Sequence, residues 1–116
     1  MRDVNKFIET ALWSTMGYDS EPLDAKFSIN DVSDEFKVRC QTLLDKFAEL
    51  AAPFLTEEDI KREHIEHDLW LTIERHGAGF WDGDYVNGDK LTALAQSLSS
   101  DVLSDALNDS IEQEEV

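Results

Sequence analysis

The sequence predicts a mainly α-helical protein, an irregular bundle of four to five helices with one glycine- and aromatic-rich loop. Apolar residues recur at intervals of three and four in several segments, which is the spacing of an amphipathic helix. Residues that favour helix starts precede these segments, and glycine or proline follows several of them. Four of the five glycines lie in residues 77–89. We expect this segment to be a structured turn region with room for a short extended piece.

The first predicted helix runs from Val4 to Met16. Its apolar side chains recur along one stripe, and Asp3 is placed to accept hydrogen bonds from the free N–H groups of the first turn. Gly17 is expected to end the helix because glycine terminates helices without a steric penalty. Residues 17–29 contain glycine and proline and show no periodicity, so they are predicted to form a loop.

The second predicted helix begins near Ser33, a capping residue followed by two carboxylates at the positive end of the helix dipole. Pro53 ends it, because proline cannot continue a helix. The predicted apolar seam comprises Phe36, Cys40, Leu43, Leu44, Phe47, Leu50 and Ala51. This seam covers only two heptads, so we expect it to be core and not a dimer interface.

The third predicted helix runs from Thr56 to about Arg75 and opens with a variant of the capping box. A short fourth helix follows Asp89, and a later apolar pattern either extends it or forms a fifth. Residues 1–108 are therefore predicted to be a single acidic helical domain. Residues 109–116 are predicted to be an acidic tail, because nothing apolar recurs there at helical spacing and no basic residue is present.

The charge is the most informative property of the composition. Ten lysines and arginines oppose 26 aspartates and glutamates, which leaves a formal net charge of −16 over 116 residues. Such a chain repels phosphate, so direct binding to nucleic acid is disfavoured. Solubility alone needs a magnitude of about 2–8. We therefore expect the excess to attract a basic protein surface, with solubility as the alternative explanation.

The expected partner is a basic protein, in particular one that binds nucleic acid, because regularly spaced carboxylates can stand in for phosphates. The candidate residues of this acidic face are Asp31, Asp34, Glu35, Glu57, Glu58, Asp59, Asp101 and Asp105.

The single cysteine, Cys40, suits a reducing compartment because it has no partner for an internal disulfide. On the apolar seam it is expected to be a buried thiol of the core. The sequence contains no signal-peptide pattern and no apolar run of membrane-spanning length. We expect a cytoplasmic protein without a membrane partner, and the oligomeric state stays open.

One motif reads His67-Asp68-Leu69-Trp70-Leu71-Thr72 and continues, after three residues, as His76-Gly77-Ala78-Gly79-Phe80-Trp81-Asp82. It resembles the HDFWLTR-x-GHGAGFWD-like motif of a family of small uncharacterised proteins of tailed bacteriophages. An acidic helix with a cysteine upstream, around Cys40, and a Gly-Asp-x-Leu-Thr helix start at residues 88–92 extend the resemblance to about residues 30–98. Two features depart from the family: residues 73–75 lack its Arg-x-Gly, and an acidic segment from Asp101 replaces its usual C-terminal end. The resemblance implies a phage origin, a host bacterial cytoplasm and a shared local fold, and it implies no activity.

The histidines and aromatic residues of this motif allow three interpretations. The favoured one is structural, a loop locked to its helix by Trp70, Phe80, Trp81 and histidine hydrogen bonds. The second is an exposed aromatic patch that binds a partner. The third is a metal or His/Asp acid–base site, for which the candidate residues are His64, His67, His76 and Asp68.

Known catalytic and metal-binding patterns are missing from the sequence. The order Glu63-His64-Ile65-Glu66-His67 is not H-E-x-x-H. A deaminase site needs more cysteines than the chain has. We therefore assign no catalytic residue, no metal and no cofactor. The sequence predicts a phage-encoded acidic protein that binds and inhibits a basic host protein, with mimicry of nucleic acid as one mode. The alternatives are a small metal-dependent or acid–base hydrolase and a virion accessory protein.

Overall fold

The computed structural model describes residues 3–61, 65–74, 80, 85–98 and 103–112. The α-helices in these ranges are α1 (Val4–Ser14), α2 (Asp34–Ala51), α3 (Glu57–Lys61), α4 (Ile65–Ile73), α5 (Gly88–Ser97) and α6 (Leu103–Ser110). The prediction of a mainly α-helical, irregular bundle is confirmed. The described residues contain six α-helices: the predicted third helix is described as α3 and α4 on either side of residues 62–64, and α6 is the fifth helix that the sequence allowed.

Helix α1 starts where the sequence predicts. The Asp3 side chain accepts hydrogen bonds from the backbone N–H groups of Asn5 and Lys6 at 3.0 and 3.3 Å. The helix ends at Ser14, two residues before the predicted Met16. Thr15 takes an extended conformation there, and its carbonyl accepts a hydrogen bond from Leu23 N at 3.0 Å. A long-range backbone contact thus replaces the last predicted helical turn.

Residues 17–29 are more ordered than the loop predicted for them. An antiparallel bridge joins Met16 to Pro22, and Ser20 turns the chain between them with a positive φ of 66°. Two 3-10 helices follow, at Leu23–Ala25 and Ile29–Asp31. The short extended piece that the sequence predicts within residues 77–89 lies largely outside the described residues.

Helix α2 is capped by Ser33, whose Oγ accepts a hydrogen bond from Phe36 N at 3.2 Å. It gives way at Ala51 to a short 3-10 helix that contains Pro53. The predicted seam is buried except at two positions. Leu43 is only partly buried, and Leu50 is 42% exposed. Leu50 was predicted to be core, and this was wrong because the buried face turns towards Ala48 and Ala51 at this end of the helix.

The start of α3 is the reciprocal capping box that the sequence predicts. Asp59 accepts a hydrogen bond from Thr56 N at 2.9 Å, and Thr56 Oγ1 accepts one from Asp59 N at 3.1 Å. Helix α5 begins at Gly88, slightly earlier than expected. Helix α6 continues to Ser110 and Ile111 is buried, so the packed part of the chain extends past the predicted start of the tail at residue 109.

One hydrophobic core joins the helices. Helix α1 packs on α2 and α4, α4 packs on α5, and α2 also packs on α5 and α6. The largest fully buried side chains include Phe7, Phe47 and Trp70. Cys40 is buried as predicted, and burial raises the pKa of its thiol to about 12. The thiol is therefore neutral near pH 7 and unreactive. No helix within the described ranges is both long and apolar enough to cross a membrane.

We predict opposite outcomes for two leucines of α2. Leu44→Ala should lower the free energy of unfolding by about 2–5 kcal/mol, because Leu44 is 1% exposed and its removal leaves a cavity. Leu50→Ala should change it by less than about 1 kcal/mol, since that side chain keeps much of its contact with water. Urea denaturation followed by circular dichroism measures both values. Equal losses would contradict the register of α2 described above.

Candidate functional site

Trp70 joins the motif helix to the first helix. Its ring is fully buried and meets the ring of Phe7 edge-on, with centroids 5.4 Å apart. Its indole Nε1–H donates a hydrogen bond to Ser14 Oγ at 2.9 Å. Trp70 thus fixes α4 against α1, whereas the structural interpretation of the motif expected it to hold the loop.

Phe80 attaches the loop to the same helix. Its backbone N–H donates to Thr72 Oγ1 at 3.1 Å, and Thr72 in turn donates to the carbonyl of Asp68 at 2.7 Å. The Phe80 ring stacks on Phe47 at 5.5 Å and meets Tyr85 edge-on at 4.9 Å. Where the motif is described, its aromatic and hydroxyl groups therefore hold the loop to the helix. The remaining predicted motif residues, His76, Gly77, Gly79, Trp81 and Asp82, lie outside the described residues.

Asp68 is the polar centre of this region. It is 9% exposed, and its Oδ2 accepts a hydrogen bond from the Tyr85 hydroxyl at 2.6 Å. Its Oδ1 lies 3.1 Å from Nδ1 of His67. A carboxylate only accepts hydrogen bonds, so Nδ1 of His67 is the donor in this contact. The three residues form a linked chain from a buried tyrosine to a partly exposed histidine.

The outer end of this chain is an aromatic pair. The His67 side chain is 39% exposed, and its ring lies 5.6 Å from the ring of Trp13 at an interplanar angle of 31°. Trp13 is itself 47% exposed. Sequence reasoning missed both Trp13 and Tyr85 as members of the site. Trp13 carried a usable signal, because it lies off the apolar stripe of α1 and a large aromatic off the stripe faces outwards.

Two of the three histidines predicted as candidate metal ligands, His64 and His76, lie outside the described residues. Within the part of the chain that the structure describes, no group of three or more histidine, cysteine, aspartate or glutamate side chains is arranged to hold a metal ion. His67 instead uses Nδ1 for its contact with Asp68.

Several predicted acidic residues come together at the N-terminal end of α2. Ser33 N donates a hydrogen bond to Ser110 O at 3.2 Å, which joins this end of α2 to the end of α6. Between the two helices lies a groove of about 530 Å³. The groove, called here the α2–α6 groove, is lined by Ser33, Glu35, Phe36, Arg39, Ala106, Asp109 and Ser110. Asp34 adjoins Glu35 in the sequence without lining the groove, and Asp105 lies one turn before Asp109 on α6.

Asp109 is a groove residue that sequence reasoning assigned to the tail. It is exposed, and its Oδ1 accepts a hydrogen bond from the Tyr18 hydroxyl at 3.1 Å. Asp31 is exposed two residues before Ser33, and its carboxylate accepts a hydrogen bond from Ser28 N at 2.8 Å. Two exposed carboxylates, Glu35 and Asp109, therefore line the groove from α2 and α6, together with Arg39.

The other predicted acidic residues are elsewhere. Glu57 and Glu58 are exposed at the start of α3, which follows the C-terminal end of the 18-residue helix α2, the end opposite the groove. Asp59 is 1% exposed and holds the capping box. Its assignment to an acidic binding face is wrong, because its carboxylate already serves the backbone of α3. Asp101 lies outside the described residues.

The exposed carboxylates outnumber the described ion pairs. They are Asp3, Glu9, Glu21, Asp24, Asp31, Asp34, Glu35, Asp45, Glu49, Glu57, Glu58, Asp89, Asp105, Asp109 and Glu112. Among the described residues, Lys26 pairs with Asp19 and Lys61 lies 4.0 Å from Glu58. The hydrogen bond from Lys26 lowers the pKa of Asp19, which stays charged. The acidic excess of the sequence is thus carried mainly on the surface of the described residues.

Comparison with protein-family models, curated proteins and solved structures finds no match to the chain.

We predict that the two tyrosine–aspartate hydrogen bonds differ in their effect on stability. Tyr85→Phe should lower the free energy of unfolding by about 1.5–3 kcal/mol, because it removes a buried hydrogen bond to a charged group. Tyr18→Phe removes a hydrogen bond between the same kinds of group at an exposed site. It should lower the free energy of unfolding by less than about 0.5 kcal/mol. Thermal and urea denaturation provide the comparison. A loss for Tyr18→Phe as large as that for Tyr85→Phe would contradict the central role of Asp68.

Proposed function

We propose that this protein is a phage-encoded acidic interaction protein that binds a basic host protein and blocks its basic site. The observation that carries the proposal is the net charge of −16, borne largely by exposed carboxylates. A surface of this kind raises the association rate with a basic partner and disfavours nucleic acid. The phage origin rests on the resemblance of the His67 to Asp82 motif.

The α2–α6 groove is the proposed contact region. Glu35 and Asp109 line it, so a basic side chain there would meet carboxylates from two helices. Further carboxylates, Asp34 and Asp105, follow at helical positions of α2 and α6, and regular spacing of this kind supports imitation of a phosphate series. A partner whose own ligand is nucleic acid fits this arrangement.

The experiment is affinity capture from a bacterial lysate with three forms of the full chain. The groove variant carries Asp34→Asn, Glu35→Gln and Asp105→Asn. The control variant carries Asp24→Asn, Glu49→Gln and Asp89→Asn, which removes the same charge from exposed positions elsewhere. Both variants keep side-chain size, so changes in capture report charge and its location.

We expect the wild-type chain to capture basic proteins at about 50 mM NaCl and to lose them by about 300 mM NaCl, since screening weakens exposed charge pairs. The groove variant should capture several-fold less than the control variant. Capture of nothing basic at low salt would contradict the proposed function. Equal capture by the two variants would contradict the α2–α6 groove as the contact region.

A second candidate function, acid–base catalysis, is supported by one specific arrangement. Asp68 orients His67 through Nδ1, which leaves the Nε2 acceptor free for a proton from a substrate, as in a His/Asp pair of a hydrolase. Hydrolysis of p-nitrophenyl acetate by wild type and His67→Gln tests it. General-base action should make the wild type faster by about a hundredfold. Equal rates, with both proteins folded, would reject this candidate.

A further inference from the structure

Three exposed large hydrophobic side chains lie close together in the sequence, the first in the last turn of α1 and the other two just after it. Trp13, Met16 and Tyr18 are 47%, 58% and 46% exposed. We call them the aromatic rim. Large apolar side chains exposed so close together are unusual on a monomer and mark binding surfaces. Trp and Tyr are also the residue types that most often dominate binding energies.

A ring contact and hydrogen bonds fix the aromatic rim at both of its ends. Trp13 lies against His67, which contacts Asp68, which accepts the Tyr85 hydrogen bond. Tyr18 donates its hydroxyl proton to Asp109. Between them, the Met16 carbonyl accepts a hydrogen bond from Asn108 Nδ2 at 3.1 Å. Side chains ordered before binding lose less entropy when a partner arrives.

The rim is continuous with the acidic groove. Asn108 and Asp109 are neighbours on α6, and Asp109 is also a groove residue. The stretch from Met16 to Tyr18 therefore lies along the side of α6 next to the groove. On α1, exposed Glu9 stands one turn before Trp13, so a carboxylate accompanies this end as well.

We propose that the aromatic rim binds arginine and lysine side chains of the basic partner. The faces of Trp and Tyr rings attract cations, and the attraction is strongest for Trp. Arginine stacks flat on such rings, while the nearby carboxylates accept its hydrogen bonds. This inference rests on the proposed function and names its contact chemistry: charge in the groove attracts the partner, and the rim provides a contact that salt screens less.

The test uses fluorescein-labelled octa-arginine as the probe and fluorescence anisotropy as the readout. The rim variants are Trp13→Ala and Tyr18→Ala in the full chain. The matched controls are Ile60→Ala and Val86→Ala, which remove exposed apolar side chains (48% and 77% exposed) away from the rim. Circular dichroism melting of each variant checks that the fold is retained, which the exposure of all four positions favours.

We expect Trp13→Ala to weaken binding about tenfold at both about 50 and about 200 mM NaCl, with Tyr18→Ala smaller and the controls unchanged. The dependence of affinity on salt should stay that of the wild type, because no charge is removed. If Trp13→Ala binds octa-arginine as tightly as the wild type, or if Ile60→Ala loses as much affinity as Trp13→Ala, the aromatic rim is not the contact site. Either result would leave the proposed function unaffected. Absence of wild-type binding at about 50 mM NaCl would overturn both.

Discussion

The hydrogen bonds of Asp68 are the interaction on which the rest of the molecule depends. Its carboxylate joins α4 to Tyr85 just before α5, and its carbonyl, through Thr72, reaches Phe80. The same carboxylate positions His67, against which Trp13 packs. A buried carboxylate without partners would be costly. Here it is satisfied, and one residue links the core, the motif loop and the exposed aromatic ring on α1.

The strong net charge imposes a second constraint, because every carboxylate that enters the interior needs a specific partner. Asp59 meets this requirement through the capping box of α3, and Asp68 meets it through Tyr85 and His67. Most others stay in water, where screening reduces their mutual repulsion. Because exposed carboxylates occur on several elements of the described chain, specificity must come from local arrangement. The α2–α6 groove and the aromatic rim are where charge and ordered apolar groups meet.

The elements governed by local rules could be predicted from the sequence. Asp3, Ser33 and Thr56 cap the helices that they were expected to cap, because capping depends on residues within one turn. The exposure of Leu50, the burial of Asp59 and the role of Asp109 could not be predicted in this way. Each depends on how neighbouring elements pack. The buried face of α2 includes Ala48 and Ala51 and leaves Leu50 exposed, and the end of α6 lies against Ser33. The pairing of Trp13 with His67 likewise depends on packing between α1 and α4.

The most direct test of the proposed function is to map the contact surface in solution. Titration of the ¹⁵N-labelled chain with octa-arginine, followed by amide chemical shifts, reports every region at once. We predict the largest changes in amide chemical shift at Glu35, Asp109 and Tyr18. The amide shifts of Glu57 and Glu58 should change little, although these side chains are also exposed carboxylates. Changes of similar size at all exposed carboxylates, or changes centred on the start of α3, would contradict a binding site at the α2–α6 groove.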